Sequence, residues 1–520
     1  MSAGLVCASA RRRSPLVSPG TLPAMGQPNR AELKEAAHAF IADAFEVLTE
    51  EHVLPTPRYH PYIRVGRDYE GPSLMFLPAY ERLEELLDAA YPERFSEPLR
   101  RRNGEFSNHY IFSLIEACVR RCGEWDEFDA ASPAVSESID ELLTVLDAPS
   151  QPVAVVRALG HVATPDGQPV TIDGVEVVPV PDNPGFDLFD ECRARIPGTG
   201  SAFNREHPFF FARPHALLCV RGSVTDLDYY GATGAASTQL DEFTLALRLL
   251  TGPTAQPYFE VRGPCTLVGA GSPELIQFRG TGMPMTRRTA VMTAELERPI
   301  QGLRGLLDVV APTQEGMTAS SIHVALRRFN SAFTSDFGQA VVDLATALEA
   351  VLIDERDGTE GITARLRNRA STLLATHADP AANIFADVSA FYDLRSRLIH
   401  GANLKESKFR NLVRDISTLN ADTGAFGIAM DQAIDRMRDL ARRAILARLC
   451  LATGAEPLWP LSPKISLEVA FADDSRRREL RDSWRTTLDG IGAGKYAGHL
   501  AAPGDVLHED YGHRPEPTPA

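Results

Sequence analysis

Apolar residues recur along most of this chain at helical spacing, and along one central stretch at strand spacing. Over residues 30–49, Leu33, Ala37, Phe40, Ala44 and Val47 fall on one stripe, which predicts an amphipathic helix. The same periodicity over 81–90, 108–121 and 138–146 predicts further helices, with Pro-rich stretches such as 54–62 reading as loops between them. After Pro152 the pattern changes to short runs of β-branched and aromatic residues at 153–156, 171–180, 209–211, 216–220, 258–261 and 266–268. Turn signals at Pro165, Asp166 and Gly167, and at Asp173 and Gly174, punctuate the first of these runs, and a helical pattern at 238–250 interrupts them.

From about residue 295 onward the chain predicts helix after helix. Ile322, Ala325, Leu326, Phe329 and Phe333 form one stripe, and Val341, Leu344, Leu348 and Val351 the next. Ile362, Leu366, Ala370 and Leu373 follow, then a helix carrying Phe385, Val388, Tyr392 and Ile399. Phe409, Val413, Ile416 and Leu419 mark a fifth, and Met430, Ile434, Met437, Ala441 and Ala444 a sixth. Short polar breaks separate them, as neighbours in an antiparallel bundle require.

These patterns predict a multidomain α+β protein, since 520 residues exceed what one core of about 100–200 residues accommodates. The expected order is a disordered extension over 1–24, with Met25 a candidate start, and a mostly helical region over 25–150. A β-rich or α+β domain over 151–285, suited to sensing a ligand or trigger, comes next. A connecting helix or linker over 286–319 leads to an all-α bundle over 320–452. The segment 453–520 is expected to be largely irregular, with one short helix near 474–488.

Charge refines this division. The chain carries 53 Lys plus Arg against 69 Asp plus Glu, a formal net charge of −16, which disfavours broad coating of nucleic acid. Residues 318–452 hold 17 basic and 16 acidic side chains, so a polyanion is best tolerated there. No apolar run approaches the roughly 20 residues of a membrane span, and no apolar segment follows Arg11, Arg12 and Arg13 as a secretory signal would. A cytoplasmic protein is expected. The seven cysteines are scattered and form no CxxC pair, so neither a disulfide framework nor a zinc site is predicted. His161, His207, His215 and His323 read as isolated, and the glycines near Lys495 lack the rest of a P-loop.

The segment that could do chemistry lies on the fourth bundle helix. Arg395 sits on its apolar stripe, three residues after Tyr392 and four before Ile399, where an unpaired guanidinium would be costly. Glu349, beside Leu348 on the second bundle helix, is its nominated partner. His400 falls in the last turn and Gly401 where a left-handed residue would end the helix. Helix carbonyls favour imidazolium there while a nearby guanidinium opposes it, which suits proton transfer near neutrality. An arginine that neutralises phosphorane charge beside a histidine that moves protons suffices for RNA self-cleavage chemistry, without metal or cofactor. Arg365 and Arg369 share a helix face and form a candidate phosphate-binding strip.

The residues Leu394, Arg395, Ser396, Arg397, Leu398, Ile399, His400 and Gly401 resemble the R-x4–6-H signature of HEPN domains, in the form found in the Apea-like group. The stretches 343–350 and 362–374 are similar to the helices that precede it. This resemblance covers about 320–450 and implies a helical bundle that dimerises with two motifs facing a shared cleft. It also implies metal-independent RNA cleavage, often by toxins or antiphage effectors, some acting on tRNA. Arg395 and His400 carry over as the catalytic pair, with Glu349, Tyr392, Ser396 and Arg397 as supporting residues. Ser396 departs from the Asn, Asp or His often found after the arginine. The alternative is an inactive module of this family that dimerises and binds RNA or a nucleotide, the upstream regions sensing a ligand or partner.

Overall fold

The computed structural model describes residues 28–50, 74, 77–95, 109–122, 129–181, 188–197, 214–225, 229–252, 256–269, 274–278, 289–311, 320–353, 361–399, 406–414, 416, 426–454, 457–459 and 467–498. The extension over 1–24, the loop at 54–62, the run at 209–211, His207, His400 and Gly401 lie outside these residues. The chain forms two compact units that divide at residues 147 and 148, close to the expected boundary at 150. It is α+β and mostly helical.

The first unit contains α1 (Arg30–Glu50), α2 (Pro78–Ala90), the four-residue α3 (Pro92–Phe95), α4 (His109–Cys122) and α5 (Pro133–Asp147). The stripe predicted for α1 is buried at Leu33, Ala37, Phe40 and Ala44, and Phe40 meets Tyr80 of α2 edge-on at 5.7 Å. Arg121 ends α4 by donating to Ser138 Oγ of α5 at 2.8 Å and pairing with Glu141.

The second unit begins with a six-stranded antiparallel sheet. Its strands are β1 (Gln151–Gly160), β3 (Val170–Ile172), β4 (Val175–Pro179), β5 (Ala216–Val224), β6 (Gln256–Pro264) and β7 (Glu274–Gln277), in the order β3-β4-β5-β1-β6-β7. The turn read at Asp173 and Gly174 closes the β3–β4 hairpin, both residues having positive φ (50° and 74°). The run at 266–268 is not a strand; Thr266 Oγ1 bonds the Val268 carbonyl and accepts from Gln151 Nε2, which bends the chain there. Two short strands, β2 (Val162–Ala163) and β8 (Ala290–Val291), pair in parallel beside the main sheet.

Strand β1 is buried on both faces, which is why its sequence alternates so little. Val156 and Ala158 face Cys192 and Ile196 at α6 (Leu188–Arg195), whereas Val155 and Leu159 face α7 (Tyr229–Thr251). The helical pattern at 238–250 is thus the second half of a longer helix. Under α7, the buried Arg157 donates to Glu260 Oε2 at 2.8 Å and to Asp241 Oδ1 at 2.7 Å.

Helix α8 (Glu297–Val310) follows β8 and inserts Ile300 and Leu303 into the same core, so 286–319 contains a packed element and not only a linker. The remaining helices are α9 (Ser321–Ser331), α10 (Phe337–Leu352), α11 (Ile362–Leu374), α12 (Ala381–Ile399), α13 (Glu406–Arg414), α14 (Phe426–Leu451), α15 (Leu467–Ala472) and α16 (Asp474–Gly490). They arise where the stripes predict them, with α13 shorter than its pattern. In the segment expected to be largely irregular, α16 falls on the short helix expected near 474–488, whereas α15 was not anticipated; Leu467, Phe471, Leu480, Trp484 and Leu488 of the two are buried. Sheet face, α7, α8 and bundle share one continuous hydrophobic core, so the expected middle domain and bundle are parts of one unit. Among the described residues no helix is long and apolar enough to cross a membrane.

Helix α14 crosses this core carrying Arg436, Arg442 and Arg443, all essentially inaccessible to solvent. Arg436 grips Asp379 with both Nη groups at 2.9 Å and Asp387 with Nε at 2.7 Å. Arg443 reaches Asp379, Asp439 and the Leu374 carbonyl. Burial raises the Asp379 pKa, but the hydrogen bonds and charges of Arg436 and Arg443 outweigh it and hold the carboxyl below its usual range. That contribution to stability is present above the unfolded carboxylate pKa and is lost as pH falls through the depressed folded value. Asp379→Ala removes the carboxylate shared by two buried guanidiniums, leaving Arg436 with Asp387 and Arg443 with Asp439, and is expected to destabilise the unit by about 3 kcal/mol. The urea midpoint measures this; a midpoint equal to wild type would show that the cluster carries no structural weight.

Candidate functional site

The packing of α12 against α10 and α11 places Arg395 as the sequence pattern suggested, on the side of α12 that faces α10. Glu349, in the last turn of α10, meets it there. Arg395 Nη2 donates to Glu349 Oε2 at 3.4 Å, and Nη1 stands 3.4 Å from Oε1. Tyr392, one turn earlier on α12, donates its hydroxyl to Glu349 Oε1, and its ring centroid lies 5.1 Å below the guanidinium carbon of Arg395. Glu349, Tyr392 and Arg395 are therefore brought together as one cluster.

Both contacts between Arg395 and Glu349 are longer than the usual 2.7–3.2 Å of a firm N–H···O bond. The two side chains are 22% and 23% exposed, so solvent also screens the pair. Such a pair contributes about 1 kcal/mol or less. The guanidinium is consequently oriented without being saturated, with its Nε buried and unpaired among the described residues. Tyr392 is pushed up to about 12, first by burial and then by its bond to Glu349 and that carboxylate's charge. At neutral pH it serves as a proton donor that steadies Glu349.

Ser396 and Arg397 are half-buried on the following positions of α12, and neither joins this cluster. His400 lies outside the described residues, one position beyond Ile399, whose side chain is 50% exposed. Arg365 is half-buried on α11. Arg369 does not form a surface strip with it: only 1% exposed, it donates through Nε and Nη2 to Glu468 at 2.9 and 2.6 Å and through Nη1 to the Leu352 carbonyl at 2.8 Å. Sharing a face placed the two arginines together, but the face of Arg369 is covered by α15. No group of three or more His, Cys, Asp or Glu suited to a metal occurs among the described residues.

Two histidines read as isolated in fact meet. His161 and His215 have ring centroids 5.3 Å apart, and the His161 backbone N–H donates to His215 Nδ1 at 2.8 Å. The pairing of Leu159 with Ala216 between β1 and β5 brings them together, a register that no local pattern reveals. His161 adopts φ 56° at the junction with β2, and its carbonyl accepts from the Ala290 N–H that starts β8. Burial, then the neighbouring His215, lowers the His161 pKa to about 4.

Comparison with protein-family models, with curated proteins and with solved structures returns no match to this chain.

Two outcomes follow from this geometry. Tyr392→Phe removes one donor from Glu349 and is expected to cost about 1 kcal/mol of stability; an unchanged unfolding midpoint would show that the hydroxyl carries none. Between pH 6.5 and about 4 the unfolded chain binds a proton at residue 161 that the folded chain refuses. Stability should fall as pH drops through that window, and His161→Asn, which tolerates positive φ, should flatten the dependence. Equal slopes for the two proteins in denaturation measured from pH 7 to 4 would refute this.

Proposed function

We propose that the chain is a metal-independent endoribonuclease, a toxin-like or antiphage effector whose chemistry resides on α12. The observation that carries the reading is the incompletely satisfied guanidinium of Arg395, oriented by Glu349 and Tyr392 five residues before His400. Its support is the R-x4-H spacing on a bundle helix, together with the resemblance of 320–450 to Apea-like HEPN domains.

In this reading RNA enters a cleft formed by two copies of the bundle, each contributing its Arg395 and His400. Arg395 releases its long contact with Glu349 and neutralises charge developing on the phosphorane. A guanidinium already oriented costs little reorganisation at that moment. His400 takes the proton from the ribose 2′-oxygen or gives one to the departing 5′-oxygen, as a titratable imidazole can. Attack by the 2′-oxygen on phosphorus and loss of the 5′-oxygen leave a 2′,3′-cyclic phosphate and a 5′-hydroxyl. The first unit and the sheet would sense the trigger. No particular RNA, tRNA included, is implied by the residues at the site.

A second reading is favoured by the same ion pair: Arg395 is a structural residue, and the bundle dimerises and binds RNA or a nucleotide without cutting it. Incubating total RNA with the full chain in EDTA and mapping the new ends separates the two. Wild type is expected to generate cyclic-phosphate ends, and Arg395→Ala and His400→Ala to lower the rate by about 100-fold or more. Identical end profiles for the three proteins would sink the nuclease reading and leave the binding module.

A further inference from the structure

Helix α16 presents a second set of arginines that the sequence periodicity alone did not single out. Its apolar side, Leu480, Trp484 and Leu488, is buried in the core of the unit. On the flank of that apolar side Arg478, Arg481 and Arg485 recur at i, i+3 and i+7, within about 60° of one another at 3.6 residues per turn; Arg478 is exposed, whereas Arg481 and Arg485 are half-buried, Arg485 lying over the Trp484 ring at 5.3 Å. Each is fixed by a main-chain carbonyl. Arg478 Nε donates to Asp474 O at 3.1 Å, Arg481 Nε to Thr372 O, and Arg485 Nη2 to Ala375 O at 2.8 Å.

These bonds orient the side chains without neutralising them. A guanidinium has five donors, so Arg478 and Arg481 retain both Nη groups, the fork that grips a phosphate at two points. Among the described residues none of the three lies within ion-pair distance of a carboxylate; Asp474 is taken by Arg477 and Glu479 by Arg476. Asp482 stands to one side of the stripe and offsets part of its charge. Even so, burial and then the charges of Arg477 and Arg485 lower the Arg481 pKa, and burial together with the charge of buried Arg443 lowers that of Arg485. Three guanidiniums that no carboxylate pairs among the described residues thus stand side by side on a chain whose net charge is −16.

We propose that this stripe of α16 is a docking surface for the phosphodiester backbone of single-stranded RNA. The three guanidiniums advance along the helix by about 4.5 and then 6 Å, a line of separate anion sites and not a nest around one head group. A chain of singly charged phosphates fits that line better than an isolated phosphate or a lipid surface. The surface holds the strand through its backbone and reads no bases. The inference rests on the proposal above only for the class of substrate.

The test is RNA binding by the full chain carrying Arg395→Ala, which blocks cleavage, followed by fluorescence anisotropy of a labelled 20-nucleotide strand across a salt series. Adding R478Q, R481Q and R485Q is expected to weaken binding on the order of tenfold and to make the log–log salt dependence shallower by about two, at 0.7 per lost phosphate contact. The three Arg→Lys substitutions keep the charge and should recover most of the affinity. Should the triple glutamine variant unfold, Arg478→Glu decides the matter alone, because its side chain is exposed and bonds only within its own helix. A loss with this variant supports the surface. Unchanged affinity and slope, no RNA binding by the parent, or preferential binding to phosphatidylserine vesicles overturns it. Cleavage ends measured with Arg395 intact keep the two proposals apart. Stripe-dependent binding without cleavage removes the nuclease, whereas cleavage with stripe-independent binding removes the docking surface.

Discussion

Three arginines of α14, placed where water does not reach, are neutralised by Asp379, Asp387 and Asp439, and the second unit is assembled around this set. Removing six charges from water carries a large desolvation cost, offset only if nearly every donor and acceptor finds a partner. That condition fixes geometry far from α14 itself. Arg436 and Arg443 close the connection between α11 and α12 by holding Asp379 and the Leu374 carbonyl. Arg442 donates to the carbonyls of Leu249 and Leu250 at the end of α7, and to those of Tyr496 and Gly498 after α16. One helix thus ties together segments separated by some 250 positions in sequence, from 249 to 498. A purely apolar core could supply equal stability, but it would not dictate which carbonyls end where.

The same logic joins the sheet to the helices. Arg248 of α7 and Arg438 of α14 both stack on Phe333, their guanidinium carbons 4.4 and 4.5 Å from its ring centroid. Burial, then the charges of Arg438 and Arg157, lowers the Arg248 pKa to about 9. It still remains protonated at neutral pH, so the contact is a cation–π bridge between the two halves. With Arg157 and Glu260 beneath α7, a line of buried charge runs from the sheet into the bundle.

Much of the helical architecture was legible because helices are local. Leu33, Phe40 and Ala44, or Val341, Leu344 and Leu348, announce their buried faces by spacing alone, and these faces are buried. The β3–β4 turn was legible for the same reason, since Asp173 and Gly174 supply positive φ themselves. Glu349 could be nominated as the partner of Arg395 because both lie beside apolar stripes that must face one another. Non-local features were not legible. His161 and His215 meet only through strand register, and Arg369 is inward only because α15 covers it. The stripe of α14 was legible at Met437, Ala441 and Ala444, but nothing in it marked Arg436, Arg442 and Arg443 as buried. Buried arginine is rare, and its partners come from three other segments that no periodicity connects.

The arrangement of α12 follows from where these charges lie. Asp387, two turns into the helix, is locked by Arg436, and Asp379 just before it is locked twice. Arg395 stands eight residues further on, about 12 Å along the axis, beyond the reach of that cluster. Its own tether is the pair of 3.4 Å contacts with Glu349 and the ring of Tyr392. The helix is therefore fixed at its start and lightly held at its end, where Leu398 is half-buried and Ile399 half-exposed. At that end Arg395 keeps its orientation through two long contacts and a ring and not through firm carboxylate bonds.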